Sequence, residues 1–234
     1  MIVCPEISLL YIHIYKTGGT SLTEILTKYT TSEFRSTQPK YTGDGFQETW
    51  HFCNQQHSKY LENIKMMSEE QKDKIAHYDV LTVVRNPYAW FFSLYKEFYS
   101  WDKRETSSGN SHFGSLFPNR TLEDFLKYIE LCRSKHTEIW GATTQASFVE
   151  GVNSARLHIV RFENYDQEIR SALNNKGITI NEVPHALDRG ESKRKELQEA
   201  TKNRKFIDFV NFHLDEDFRN FSYPKETMSS AASL

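Results

Sequence analysis

Runs of apolar and polar residues along the chain predict a series of strands separated by helices. Residues 7–15 alternate between apolar and polar side chains, and residues 79–85 form a nearly continuous apolar run that is typical of a buried strand. Residues 48–53 are short and aromatic, which predicts a strand between these two, and residues 155–162 predict a late strand. Strands that alternate with helices indicate an α/β fold, in which a parallel β-sheet is flanked by helices and has right-handed crossovers.

Capping residues predict where several helices begin. Ser21 and Glu24 have the spacing of a capping box. Asn86 is a good cap, and Pro87 is tolerated in the first turn that follows it. The predicted helices run from Ser21 to about Tyr29, from a start at Ser68, from Pro87 to about Tyr99, over residues 121–133, up to Gly177, and over residues 196–212.

Length and composition fit one domain. A chain of 234 residues is long enough for one α/β domain with a substantial core, and it is marginal for two. We therefore expect a single domain over residues 1–225 and a disordered C-terminal tail over residues 226–234. Residues 100–120 form a long connection rich in Ser and Gly, which a compact domain rarely carries without a functional reason.

The charge and the cysteine content limit which classes of binding partner and which cellular compartment are expected. A net charge of −2 gives the chain no general attraction to nucleic acid or to an anionic membrane, so neither is expected as a partner. The three cysteines are widely spaced and odd in number, which indicates free thiols and not a disulfide framework or a zinc site. The sequence shows no signal peptide and no membrane-spanning run, so a soluble, cytoplasmic protein is expected. No feature indicates an oligomeric state.

Residues 16–21, hereafter the KTGGTS segment, lie between the first predicted strand and the first predicted helix. Backbone N–H groups and the positive end of a helix dipole converge at such a turn, which can therefore bind a phosphate or sulfate group. Gly18 and Gly19 let the backbone approach the anion, and Lys16 adds a mobile positive charge. The two hydroxyl residues after the glycines add further donors.

The order of these residues differs from that of the Walker A loop of kinases and ATPases. In a Walker A loop the lysine follows the last glycine and the next hydroxyl residue holds Mg²⁺, whereas Lys16 precedes the glycines. The best buried strand also ends in Arg85 and not in an aspartate that could hold a metal ion. The sequence therefore lacks the parts of a metal–triphosphate site, and no metal is expected.

Arg85 and Ser93 are candidates for a second phosphate site. Arg85 stands at the carboxyl end of the best strand, where ligands of open α/β sheets usually bind, and Ser93 lies on the next predicted helix. A guanidinium group binds a phosphate through two N–H donors, and a hydroxyl group adds another. Either residue alone is better explained by ordinary packing. Together with the KTGGTS segment they indicate a nucleotide site.

These two motifs resemble those of the sulfotransferases that use 3′-phosphoadenosine-5′-phosphosulfate (PAPS), especially the carbohydrate-type branch. In that family a K-x-G-G/A-T-S turn holds the 5′-phosphosulfate, and V-R-[DN]-P-x-x-x-x-x-S-x-Y holds the 3′-phosphate. The present sequence matches the first motif at residues 16–21 and the second from Val84 through Ser93 to Tyr95. Residues 160–165 and 217–223 resemble the late strand and helix and the C-terminal motif of the family.

The resemblance implies in-line transfer of the sulfonyl group from PAPS, the donor co-substrate, to a hydroxyl group of an acceptor, which is a saccharide or a small metabolite. It implies a P-loop-like strand–loop–helix that holds the phosphosulfate without a metal. Lys16 is then expected to stabilise the negative charge that grows on the leaving phosphate oxygen. Apart from the resemblance, residues 188–194 concentrate charge and are a candidate to close over the cofactor, with Arg189, Ser192 and Arg194 near its phosphates. For any one of these residues a solvated charged run is a slightly better explanation. The expected cofactor-binding residues are Lys16, Thr17, Gly18, Gly19, Thr20, Ser21, Arg85, Ser93, Arg189, Ser192 and Arg194.

The acceptor hydroxyl needs a general base, and His51 is the first candidate. A histidine is neutral enough at pH 7 to accept a proton, and some carbohydrate-type relatives have one at about this place. His57 and Glu48 are the alternatives, and an ordinary core histidine explains His51 about equally well. Two other functions stay open at this point. They are a nucleotide-dependent phosphotransferase with an atypical phosphate loop, and a non-catalytic module that binds adenine nucleotides.

Overall fold

Two compact units make up the computed structural model. The first comprises Met1–Arg85 and Ser147–Asp188, and the second comprises Asn86–Ala146 and Arg189–Leu234. The expectation of a single domain over residues 1–225 stays a prediction. The residues that the structure describes are 1–34, 41–42, 45–46, 57–103, 116–135, 142–180 and 191–227.

Four strands form the main sheet of the first unit, and two more form a short hairpin. The strands found in the described residues are β1 (Ile2–Cys4), β2 (Leu9–Ile12), β3 (Tyr41–Thr42), β4 (Gly45–Phe46), β5 (Asp79–Val84) and β6 (Leu157–Arg161). In the main sheet, β1 is antiparallel to β2, whereas β2, β5 and β6 run parallel in that order. This arrangement confirms the predicted α/β fold with a mostly parallel sheet.

Helices follow or precede most strands. Those found in the described residues are α1 (Gly19–Leu26), α2 (Tyr60–Met66), α3 (Glu69–Ile75), α4 (Pro87–Lys103), α5 (Leu122–Ser134), α6 (Tyr165–Asn174), α7 (Glu191–Ala200), α8 (Arg204–His213) and α9 (Asp215–Phe221). Helices α1, α2, α3 and α6 belong to the first unit, and the other five belong to the second. In the part of the chain that the structure describes, no helix combines the length and the apolar character needed to cross a bilayer.

The core of the first unit forms where α1 and α6 pack on the main sheet. Strand β5 lies between two parallel neighbours and is buried from Val80 to Val84, which explains its nearly continuous apolar sequence. Its one polar residue in that stretch, Thr82, donates its hydroxyl proton to the carbonyl oxygen of Ile12 over 3.0 Å. The buried cluster includes Leu22, Leu26, Leu81, Val83, Val160, Ile169 and Leu173.

The second unit is helical and has an aromatic core. The ring of Phe91 on α4 lies 5.3 Å from that of Phe125 on α5 and 5.2 Å from that of Phe209 on α8. Beside this core, the buried carboxylate of Asp217 accepts hydrogen bonds from the backbone N–H groups of Gln145 (3.0 Å) and Ala146 (2.8 Å). These bonds fix the segment that precedes the chain's return to the first unit.

Several predicted helix starts are confirmed. The Asn86 side chain accepts hydrogen bonds from the N–H groups of Tyr88 and Ala89 at the start of α4. Ser68 caps α3 in a capping box, and Thr121 does the same for α5. These starts depend on residues two or three positions apart, which is why the local sequence reveals them.

Other predicted boundaries are wrong. Helix α1 begins at Gly19 and not at Ser21, because Gly18 takes the left-handed conformation that ends the preceding turn. The single helix predicted over residues 196–212 is two helices, because Asn203 turns out of α7 and caps α8 with its side chain. Strand β2 is shorter than residues 7–15, since the chain enters it through a turn at residues 5–7. The strand predicted over residues 48–53 lies outside the described residues.

Candidate active site

The KTGGTS segment joins β2 to α1 at the carboxyl edge of the main sheet. Its backbone takes a positive φ at Lys16 (62°) and at Gly18 (82°). Such a conformation suits glycine, whereas for lysine it costs energy, so the turn holds Lys16 in a strained state. The predicted strand–loop–helix is therefore present, with the lysine held inside the turn.

Position 19 requires a glycine because two buried side chains lie against it. One belongs to Tyr11 of β2, and the other belongs to His13, which directly follows β2. A Cβ atom added at Gly19 would overlap the imidazole ring of His13 and the hydroxyl group of Tyr11. Both side chains are buried, so neither can give way. The absence of a side chain at Gly19 therefore lets the first turn of α1 sit directly on the end of the strand.

Gly18 is enclosed by aromatic side chains that follow β6. A Cβ atom added there would come within 2.7 Å of Cε2 of Phe162. The hydroxyl group of Tyr165 donates a hydrogen bond to the Gly18 carbonyl oxygen over 2.9 Å. Burial raises the pKa of Tyr165, so its hydroxyl group keeps its proton and remains a donor at neutral pH. Residues that follow β6 therefore hold the loop backbone in place.

The amino end of α1 presents donors for an anion. Within the described residues, no side chain caps this helix, whose N-cap position is Gly18. The first N–H groups of a helix have no partner inside the helix, and they carry the positive end of its dipole. Thr20 is exposed and Ser21 is buried in this first turn. Thr17 uses its hydroxyl group within the loop, where it donates to the Ile14 carbonyl oxygen over 2.6 Å.

Arg85 comes directly after β5. This strand is the neighbour of β2, which leads into the KTGGTS segment. Strands β2 and β5 are parallel neighbours, with Ile12 paired to Thr82, so their carboxyl ends lie at the same edge of the sheet. Only 8% of Arg85 is exposed, and its guanidinium carbon lies 5.1 Å from the centre of the Phe162 ring. A buried guanidinium group at this edge provides a fixed positive charge for an anion.

A pair of histidines extends the same edge. Nδ1 of His57 lies 3.0 Å from the carbonyl oxygen of His13, and the two rings are in edge contact with centres 4.5 Å apart. A carbonyl oxygen only accepts, so Nδ1 of His57 carries the proton in this hydrogen bond, and Nε2 is the nitrogen that can accept one in the neutral ring. Nδ1 of His13 lies 3.4 Å from the hydroxyl oxygen of Thr23 on α1.

Comparison with known proteins gives the family. A model of the sulfotransferase family matches residues 1–224. The chain belongs to the sulfotransferase family. A crystal structure of a sulfotransferase from Alicyclobacillus acidocaldarius aligns with 92% of this chain and 98% of its own, at 13% identity and a TM-score of 0.33. None of the curated proteins compared with this chain matches it.

In this sulfotransferase the structure brings together part of the predicted site. The KTGGTS segment and Arg85 lie in the first unit, where they follow neighbouring strands. Ser93, half-buried on α4, belongs to the second unit, as do Ser192 and the exposed Arg194 on α7. The predicted site residues that lie outside the described residues are His51, Glu48 and Arg189. The roles of all these residues stay predictions.

Sequence reasoning missed the side chains that support the loop of this sulfotransferase. They come from distant parts of the chain, namely Tyr11, His13, Phe162 and Tyr165. The alternation in residues 7–15 does place Tyr11 and His13 on one face of the strand, and that was the available signal. In the described residues, no cluster of three or more His, Cys, Asp or Glu side chains is arranged to hold a metal ion.

Proposed function

We propose that this sulfotransferase moves the sulfonyl group of PAPS to a hydroxyl group of an acceptor, which is a saccharide or a small metabolite. Membership of the family supports sulfonyl transfer, and the choice of donor and acceptor is our proposal. The observation that carries it is the placement of the KTGGTS segment and Arg85 after two adjacent parallel strands. Two anion-binding elements at one sheet edge suit a donor that carries phosphate groups at both ends of a ribose.

The donor set around the KTGGTS segment fits a phosphosulfate. Residues 13–21 contain no carboxylate, so no side chain of this stretch repels an anion. The glycines bring the amino end of α1 close to the strand end, and the half-buried Lys16 adds a full positive charge. N–H donors combined with a flexible cation are the groups that bind sulfate and phosphate oxygens well.

Each predicted residue then has a defined task. PAPS, when bound, supplies an activated sulfonyl group on a phosphate. Lys16 and the N–H groups of residues 18–21 stabilise the charge that the phosphate gains as the sulfonyl group departs. Arg85 and Ser93 hold the 3′-phosphate, with Arg189, Ser192 and Arg194 as further ligands. These groups are proposed to bind the donor without a metal ion. The proposed compartment is the cytoplasm.

Proton removal from the acceptor is assigned to His51, with His57 and Glu48 as the alternatives. The His57 geometry supports its candidacy, because Nδ1 donates to the His13 carbonyl oxygen, which makes Nε2 the accepting nitrogen of the neutral ring. Either histidine would act as a neutral base near pH 7. The assignment is tested by the last prediction of the Discussion.

Nucleotide titration tests the donor site. Adenosine 3′,5′-bisphosphate should bind the wild type more tightly than adenosine 5′-monophosphate, and Arg85→Ala should remove about 2–3 kcal/mol of that preference, the usual range for a charge-assisted pair. Lys28→Ala, on the exposed end of the helical segment after α1, is the matched control that removes a charge outside the site. Equal wild-type affinity for both nucleotides would contradict the proposed donor.

Turnover tests the reaction itself. Labelled PAPS and a library of saccharides and small metabolites should yield a sulfated acceptor, and EDTA should leave the rate unchanged. Turnover of ATP that depends strictly on Mg²⁺, without sulfonyl transfer, would instead support a phosphotransferase. Binding of the bisphosphate without turnover of any acceptor would support a non-catalytic nucleotide-binding module.

A further inference from the structure

The ring of Phe162 contacts both anion-binding elements of the first unit. The guanidinium carbon of Arg85 lies over its face, 5.1 Å from the ring centre. Its edge lies against the backbone of Gly18, since a Cβ atom added there would come within 2.7 Å of Cε2. One side chain therefore touches the residue that follows β5 and the residue that precedes α1.

Strand register places the ring in this position. Val84 of β5 pairs with Arg161 of the parallel strand β6, so Arg85 and Phe162 are the next residues along two neighbouring strands. Arg85 is only 8% exposed, and a guanidinium group withdrawn from water is attracted more strongly to a ring face than an exposed one. A ring face also restrains the guanidinium group. Unlike a carboxylate, it does not neutralise the positive charge.

We propose that Phe162 is a positioning residue for nucleotide binding. Its face sets the orientation of the Arg85 guanidinium group, and its edge sets the backbone of Gly18, so that the two anion-binding elements keep a fixed separation. The proposal rests on the proposed function, because it assumes that Arg85 binds the 3′-phosphate of the donor. It adds a residue that supports selectivity for that phosphate by orienting Arg85.

Packing alone would give a different result on substitution. Phe162 also packs, partly buried, against the apolar cluster of the first unit. If packing were its only role, its replacement would weaken the binding of every nucleotide by the same factor. A positioning role predicts a selective loss, because only a nucleotide with a 3′-phosphate uses Arg85.

Calorimetric titration of two nucleotides separates these roles. Adenosine 3′,5′-bisphosphate and adenosine 5′-monophosphate are compared on the wild type, Phe162→Leu and Phe162→Tyr. Leucine keeps apolar bulk without a ring, and tyrosine keeps the ring. The ratio of the two affinities should fall by roughly fivefold or more in Phe162→Leu, the size of a partly buried cation–π contact, and should be retained in Phe162→Tyr.

Tyr165→Phe is the matched control for the Gly18 side of the ring. It removes the hydroxyl group that holds the Gly18 carbonyl oxygen and keeps the aromatic packing. It should weaken both nucleotides by a similar factor and leave their ratio unchanged. An unchanged ratio in Phe162→Leu, or an equal loss for both nucleotides, would overturn the positioning role. No preference for the bisphosphate in the wild type would contradict the proposed function instead.

A nucleotide-free measurement tests the contact itself. The Tm losses of Arg85→Met and Phe162→Leu should not add in the double variant, because each single change already removes the contact. Arg156→Ala with Phe162→Leu is the control cycle. Arg156, the residue before β6, donates hydrogen bonds to the carbonyl oxygens of Ile75 and Tyr78. The Tm loss of Arg156→Ala should therefore add to that of Phe162→Leu. Additive Tm losses for the Arg85 pair would overturn the inference.

Discussion

The imidazole ring of His13 lies directly against the backbone of Gly19, although the two residues belong to the end of a strand and the start of a helix. Only 3% of His13 is exposed, and the Tyr11 hydroxyl group lies against the same side of Gly19, since a Cβ atom added there would overlap both. Gly19→Ala should therefore lower the free energy of unfolding by about 2–3 kcal/mol, the cost of forcing an extra methyl group into a packed site. Urea unfolding measures this change.

Gly177 offers the matched control for that substitution. It has a positive φ of 76°, but a Cβ atom added there would meet no heavy atom within 4 Å. Gly177→Ala should cost only about 1 kcal/mol, from backbone strain alone, and it should leave binding of adenosine 3′,5′-bisphosphate intact. Gly19→Ala should weaken that binding. If the two variants lose equal stability and bind equally, the contact with His13 has no role in shaping the loop.

Local features of the fold could be predicted from the sequence. Strand β5 was predicted from its apolar run, and the start of α4 from Asn86 and Pro87, because each depends on residues that are neighbours in the chain. The KTGGTS segment was found for the same reason. The start of α1 was misplaced by two residues, because the left-handed conformation of Gly18 depends on the tertiary contacts around it.

The support of the loop could not be predicted, because it comes from residues far away in the chain. Tyr165 reaches the Gly18 carbonyl oxygen across 147 positions, and no local pattern specifies that contact. The pairing of β5 with β6, which brings Phe162 beside Arg85, likewise follows from the sheet order. The tertiary structure therefore adds the residues that shape the loop, while the sequence motif identifies those that are predicted to bind the anion.

The carboxyl group of Asp217 should make stability depend on pH. Burial raises its pKa from an ordinary value of 3.8 to about 6, although the N–H groups of Ala146 and Gln145 act in the opposite direction. Between these values the folded protein keeps the proton and the unfolded chain has lost it, so unfolding releases a proton. The free energy of unfolding should fall by about 2 kcal/mol as pH rises from 4 to 6.

Urea unfolding from pH 4 to pH 7 measures this dependence, with Asp217→Asn as the variant that removes it. Asp215→Asn is the control of opposite sign. A hydrogen bond from Lys225 holds the pKa of Asp215 below its ordinary value, so its contribution is lost as pH falls. A wild-type curve parallel to that of Asp217→Asn would show that this carboxyl group does not titrate in the predicted range.

Lys16 should show opposite effects on stability and activity. Its φ of 62° is unfavourable for any residue with a Cβ atom. Lys16→Gly should therefore be more stable than Lys16→Ala by about 1 kcal/mol, and thermal unfolding measures the difference. Both variants lack the amine, so both should lose roughly 10²-fold or more in kcat while binding of the product nucleotide changes less. If Lys16→Gly keeps its activity, the amine does not act on the transferring group.

The general base is tested by three parallel variants, His51→Ala, His57→Ala and Glu48→Ala. His51→Ala should lose roughly 10²–10⁴-fold in kcat with little change in PAPS binding, because a base acts on the acceptor and not on the donor. The acidic limb of kcat/KM, which a histidine places at about pH 6–7, should disappear in that variant. His57 needs a separate check because it contacts His13 beneath the loop. A loss of activity in His57→Ala counts as loss of a base only if adenosine 3′,5′-bisphosphate still binds. If His57→Ala or Glu48→Ala loses the acidic limb while His51→Ala keeps it, the base is misassigned. Full activity in all three variants would show that residues 48–57 do not provide the base.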